Sequence, residues 1–145
     1  MSRVLWLLLL SFFSLNFSLN AAGPSFEHAK KFELKKDEKA YVFITDRREG
    51  IEDIFEFSWT LFDNTNMVLH TKFRKYPRQI VLSLRRGLEL YKQIVLPHLR
   101  KEIEGEVMLY LEFKDFKNGI GTFMVYIDDD AKRVNVRFEP NVGDE

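Results

Sequence analysis

The sequence predicts an all-β protein: an antiparallel two-sheet sandwich of seven to nine strands with at most one short helix. Three observations predict it. Large apolar residues recur at every second position in run after run, the period of a strand with one buried and one wet face. Turn-forming residues separate these runs at short spacing. The strongest run is itself half of a hairpin. Phe55, Phe57, Trp59 and Leu61 alternate with Glu56, Ser58 and Thr60, Asp63-Asn64-Thr65-Asn66 supplies the turn, and Met67, Leu69, Thr71 and Phe73 return on the same period. The spacing favours an immunoglobulin-like arrangement. A small closed β-barrel is the alternative.

The opening residues read as an address. Arg3 precedes an apolar run, Val4 to Leu15, which fades before the small residues Ala21-Ala22-Gly23. This is the layout of a secretory signal peptide over residues 1–22, with the cut open between Asn20 and Gly23. The rival is a retained anchor, but the run before Asn16 is shorter than the roughly 20 residues of a spanning helix. The chain has no cysteine. Small secreted animal domains lean on disulfides, so export without cysteine favours a periplasmic or secreted bacterial protein. It also excludes thiol catalysis and thiolate metal sites.

Residues 23–39 form a polar, Lys-rich segment in which Phe32-Glu33-Leu34 reads as an edge strand. Residues 40–140 hold the single β domain, and 141–145 a polar tail. Ala40 to Thr45 is β-prone and apolar on both faces, and a charged loop ending at Gly50 leads to the central hairpin. Tyr76-Pro77 breaks the return strand, and Ile80, Leu82 and Leu84 form the next inward face. Arg85-Arg86-Gly87 is a turn. Leu88 to Leu96 fits a helix almost as well as a strand. Pro97 opposes a helix running through it, so a strand is favoured, with Leu88, Leu90, Ile94 and Leu96 on one face and Lys92 as the exception. A short helical turn is expected at His98 to Glu104, closed by Gly105. Val107, Leu109, Leu111 and Phe113, then Phe123, Val125 and Ile127, are two inward faces joined by the turn Lys117-Asn118-Gly119. Asp128-Asp129-Asp130 is a solvated turn into Val134, Val136 and Phe138, with Arg133, Asn135 and Arg137 outward.

Net charge is zero, but the charges are sorted. From Thr65 to Lys101 nine bases stand against one acid, a net of +8. From Glu102 to Glu145 eleven acids stand against five bases, a net of −6. A basic face centred on Lys72, Arg74, Lys75, Arg78, Arg85 and Arg86 would suit an anionic partner: an envelope protein, an anionic lipid or an acidic polymer. The competing reading is that oppositely charged strands pair with one another across the sheet. Nucleic acid is excluded by compartment and by the inward placement of most aromatics.

No catalytic constellation stands out. His28, His70 and His98 lack metal-ligand spacing. Asp128-Asp129-Asp130 lacks the loop spacing of an EF-hand. Glu102 and Glu104 have no visible cleft, and Ser25, Ser58 and Ser83 sit in no nucleophile elbow. The glycines form no phosphate loop. The expectation is a non-enzymatic binding module without cofactor or metal. Its alternative is a small-ligand or lipid carrier with a cavity among Tyr41, Phe43, Trp59 and Phe123. A second apolar surface is expected where Tyr91, Met108, Tyr110, Met124 and Tyr126 face away from the core.

Overall fold

The computed structural model describes Phe26 and residues 28–97 and 105–140, and these contain nine strands. They are β1 (His28–Lys35), β2 (Lys39–Asp46), β3 (Glu52–Phe62), β4 (Asn66–Phe73), β5 (Tyr76–Ser83), β6 (Leu90–Leu96), β7 (Val107–Lys117), β8 (Ile120–Asp128) and β9 (Val134–Pro140). One sheet has the order β1-β8-β7-β6, the other β5-β4-β3-β2-β9, and all pairings are antiparallel. The two sheets pack as a sandwich. The barrel alternative is overturned, because each sheet ends in two separate edge strands and neither closes on itself. The signal segment, the helical turn at His98 to Glu104 and the tail lie outside the described residues.

Alternation decides the core. Phe32 and Leu34 of β1, Val42 and Ile44 of β2, Phe55, Phe57 and Trp59 of β3, and the expected inward faces of β7 and β8 are all buried. Aromatic rings join the sheets edge to face: Phe57 meets Phe32 at 5.5 Å and Phe123 at 5.7 Å, and Trp59 meets Phe116 at 5.5 Å. Each buried phenylalanine contributes about 1.5–3 kcal/mol of transfer free energy. The interior is therefore packed side chain. Trp59 and Phe123 lie within it, whereas Tyr41 and Phe43 sit half-buried on the opposite face of β2, so these four line no common cavity.

Turn chemistry joins the strands as expected. Asn118 and Gly119 both have positive φ, 53° and 77°, as a tight turn matched to strand twist requires. Asp63 Oδ1 accepts from the backbone N–H groups of Thr65 and Asn66, with Asn64 at φ 73°. The turn before β5 is made by Arg74, at φ 57°, so Pro77 stands inside the start of β5. A proline is tolerated there because β5 is an edge strand.

Several expected faces are corrected, and the strand pairing carries three register shifts. The pairing of β3 with β4 shifts between Trp59 and Leu61, which leaves Leu61 58% exposed and turns Phe62 toward Phe113 and Phe116. A bulge between Phe113 and Asp115 likewise returns Phe116 to the interior. In β6 the apolar row Leu90 and Ile94 faces out with Lys92. The inward residues are Tyr91, stacked on Phe55, and Val95, and a further shift lies between Ile94 and Leu96. Tyr91 thus leaves the expected second surface. Leu84 is exposed because β5 ends one residue before it.

The acidic turn is also corrected: Asp129 is buried rather than solvated. Its Oδ1 and Oδ2 accept the backbone N–H groups of Arg133 and Val134 at 2.8 and 2.9 Å. Arg133, expected outward, is buried with it. Its guanidinium donates to the carbonyls of Pro97 and Gly105.

Candidate functional site

Two surfaces stand out, one on each sheet. The first is the outer face of the β1-β8-β7-β6 sheet. Because β7 and β8 bury Leu109, Leu111, Val125 and Ile127, alternation turns Met108, Tyr110, Glu112, Met124, Tyr126 and Asp128 outward. Register sets Tyr110 directly opposite Tyr126. The ring of Phe26 lies over both, 4.7 Å from Tyr126 and 5.8 Å from Tyr110. On the β6 side, Lys92 is paired with Tyr110 and holds its ammonium 5.5 Å from that ring's centre. Phe26, Tyr110, Glu112, Tyr126 and Asp128, with Glu89 and Leu90, border an open groove of about 600 Å³.

The polar groups of the groove fall into two sets. Glu112 is fully engaged: it accepts from the Tyr126 hydroxyl and from the Lys114 ammonium, both at 2.9 Å. Partial burial, then the hydrogen bond to Glu112, raises the Tyr126 phenol above its ordinary pKa. Partial burial and the charges of Asp128 and Glu106 raise Tyr110. The bond to Glu112 raises Lys114. The second set is open. Glu89 Oε2 is buried with no hydrogen-bond donor among the described residues, although the Lys114 charge lies near enough to feel it. Asp128 accepts no side-chain hydrogen bond there either. The phenols are protonated at neutral pH, so the groove offers ring faces and carboxylates.

The second surface is the border of β5, which pairs only with β4 among the described residues. Lys72 lies beside it on β4, Arg74 and Lys75 form the turn before it, Arg78 is on it, and Arg85 and Arg86 follow it. All six are exposed. Strand β5 spans roughly 23 Å at about 3.3 Å per residue, so the bases border one edge but cluster at its two ends. Arg74 pairs with Asp53 at 3.0 Å, and Arg85 lies near enough to Asp63 to help lower that carboxyl's pKa. Among the described residues Lys72, Lys75, Arg78 and Arg86 form no ion pair. Elsewhere Lys39 pairs across strands with Glu56 and Arg137 with Glu52, and Arg137 also pairs along β9 with Glu139.

No family model, curated protein or solved structure matches this chain. The reading therefore rests on the surfaces themselves. Among the described residues no group of three or more His, Asp or Glu is placed to hold a metal ion, and no helix is long and apolar enough to cross a membrane. His70 is exposed on β4. Ser83 is buried, and its hydroxyl accepts the N–H of Arg85.

Alternation had pointed to Met108, Tyr110, Met124 and Tyr126. The same period turns Glu112 and Asp128 outward, but period alone does not bring the two carboxylates into one groove. Glu89 and Phe26 carry no local signal, since neither lies within a strand.

Proposed function

We propose that this protein is an exported, non-catalytic interaction module that engages an acidic protein segment along the edge of β5. The observation that carries the reading is the border of bases, four of them without a carboxylate partner among the described residues, around a strand with one unpaired side. An extended partner can add to such an edge through main-chain hydrogen bonds. Flanking lysines and arginines then select acidic side chains and speed encounter. They also blunt the edge against self-pairing, since like charges repel a second copy. Export is supported by the Arg3 and Val4–Leu15 layout of the N-terminus.

The test is capture from the cell envelope, at low and high salt, with the native chain and with an Arg78→Glu/Arg86→Glu variant. The expected result is a protein partner held at low salt, released at high salt and not captured by the variant. Equal capture by both chains would remove β5 as the contact. Capture of anionic lipid or acidic polymer instead of protein would keep the basic edge and replace the partner class.

A further inference from the structure

The groove on the opposite sheet has the reverse chemistry. We infer that it binds a basic polypeptide segment, seating a lysine or arginine side chain against the ring cluster of Phe26, Tyr110 and Tyr126 with its charge directed to Glu89 and Asp128. This does not depend on the reading of β5.

The argument begins with the floor. Tyr110 and Tyr126 lie side by side and Phe26 packs over them, so the base of the groove is aromatic. The face of such a ring attracts a cation. The protein's own Lys92 already sits over Tyr110 in that way. Next comes charge. Glu112 is satisfied by Lys114 and Tyr126, which leaves Glu89 Oε2 and Asp128 without a side-chain donor among the described residues. Glu89 Oε2 is the telling atom. A buried carboxylate oxygen without a donor is uncommon in a folded protein, and it leaves the negative charge of Glu89, at the border of the groove, to be met by a ligand cation.

Shape selects a polypeptide over a free amine. The groove is open rather than a closed cage, and its volume of about 600 Å³ exceeds what one small cation fills. Leu90, 42% exposed, and Ile94, 48% exposed, flank Lys92 on the outer face of β6 and give the groove apolar patches at its margin. Lysine and arginine have an aliphatic stem and a charged head, and so match an apolar margin leading to carboxylates. An acyl chain would match the margin but leave the carboxylates buried and unpaired.

The test titrates a capped tetra-arginine peptide into the purified full chain, followed by amide and tyrosine NMR. The expected result is shifts concentrated at Tyr110, Tyr126 and Leu90. Affinity should fall at least tenfold in a Glu89→Gln/Asp128→Asn variant whose spectrum is otherwise native, since losing even one charge-assisted contact costs about that much. Tyr110→Leu should weaken binding as well, and Arg78→Glu, on the other sheet, should not. Shifts away from the groove, or equal affinity in the double variant, would overturn the inference. Tetraethylammonium binding there as tightly as the peptide would also overturn it, by making the groove a free-amine site.

Discussion

The indole N–H of Trp59, on β3, donates to the carbonyl oxygen of Leu34, on β1, at 2.8 Å, across the gap between the two sheets. The backbone carbonyl of Trp59 in turn accepts the N–H of Asp37, in the loop that follows β1. One residue thus ties the first strand to the opposite sheet by hydrogen bonds at both its side chain and its main chain. Trp59→Phe keeps a ring in the core but removes the side-chain donor. We expect a loss of roughly 1–3 kcal/mol, the cost of a buried carbonyl left without its partner. The urea midpoint measures it, and an unchanged midpoint would show that the bond contributes nothing net.

Gly121 is buried where β8 passes between β1 and β7. A Cβ there would stand 2.9 Å from the Phe123 ring and 3.3 Å from the Met67 methyl, both side chains of the core. Gly121→Ala is expected to destabilise by roughly 1–3 kcal/mol through overpacking, although alanine suits a strand better than glycine. A variant as stable as the native chain would mean that Phe123 can move aside.

Asp129 organises the link between the sheets at the other end of the sandwich. Both of its oxygens accept backbone N–H groups, and this fixes Arg133 where it reaches the carbonyls of Pro97 and Gly105. Asparagine offers one oxygen and would turn its amide toward a second donor. Asp129→Asn should therefore cost roughly 1.5–3 kcal/mol, the range for hydrogen bonds to a charged group. Amide exchange at Arg133 and Val134 should accelerate with it. Native exchange at both positions would refute the role.

Asp63 gives a pH test. Hydrogen bonds from the Asn66 side chain and from the backbone of Asn66 and Thr65 hold its carboxyl below the ordinary value of 3.8. A carboxyl whose folded pKa is depressed contributes stability that is present above the unfolded value and is lost as pH falls through the folded one. Asp63→Ala should be less stable than the native chain at neutral pH, and the two should converge in strong acid. Parallel stability curves across that range would place the turn's stability elsewhere.

How much was legible follows from how far each signal reaches along the chain. The inward faces of β7 and β8 were read correctly, because four and three alternating apolar residues repeat without interruption. The hairpin turn at Asn118-Gly119 was equally local. Leu61 was misread because a bulge shifts phase by one residue, and one residue moves a side chain to the other face. The outward apolar row of β6 was misread because exposed leucines on an edge strand look like a core face in a list of residues. Of the groove, Tyr110 and Tyr126 are visible from period alone. Its carboxylates became meaningful only once Tyr110 and Tyr126 were seen side by side under Phe26.

By itself, then, the sequence determined the strands, most of their buried faces and the turns, since each depends on neighbours a few residues away. Sheet order was decided only in the tertiary structure. The pairs β1 with β8 and β2 with β9 join segments about ninety residues apart, and no local pattern encodes them. That order makes β5 an edge among the described residues and so sets the basic residues beside a strand with one open side. It also sets β6, β7 and β8 side by side, which turns scattered tyrosines and carboxylates into one groove. Period is a property of a segment. A surface is a property of the segments that meet there, and non-local pairing chooses those.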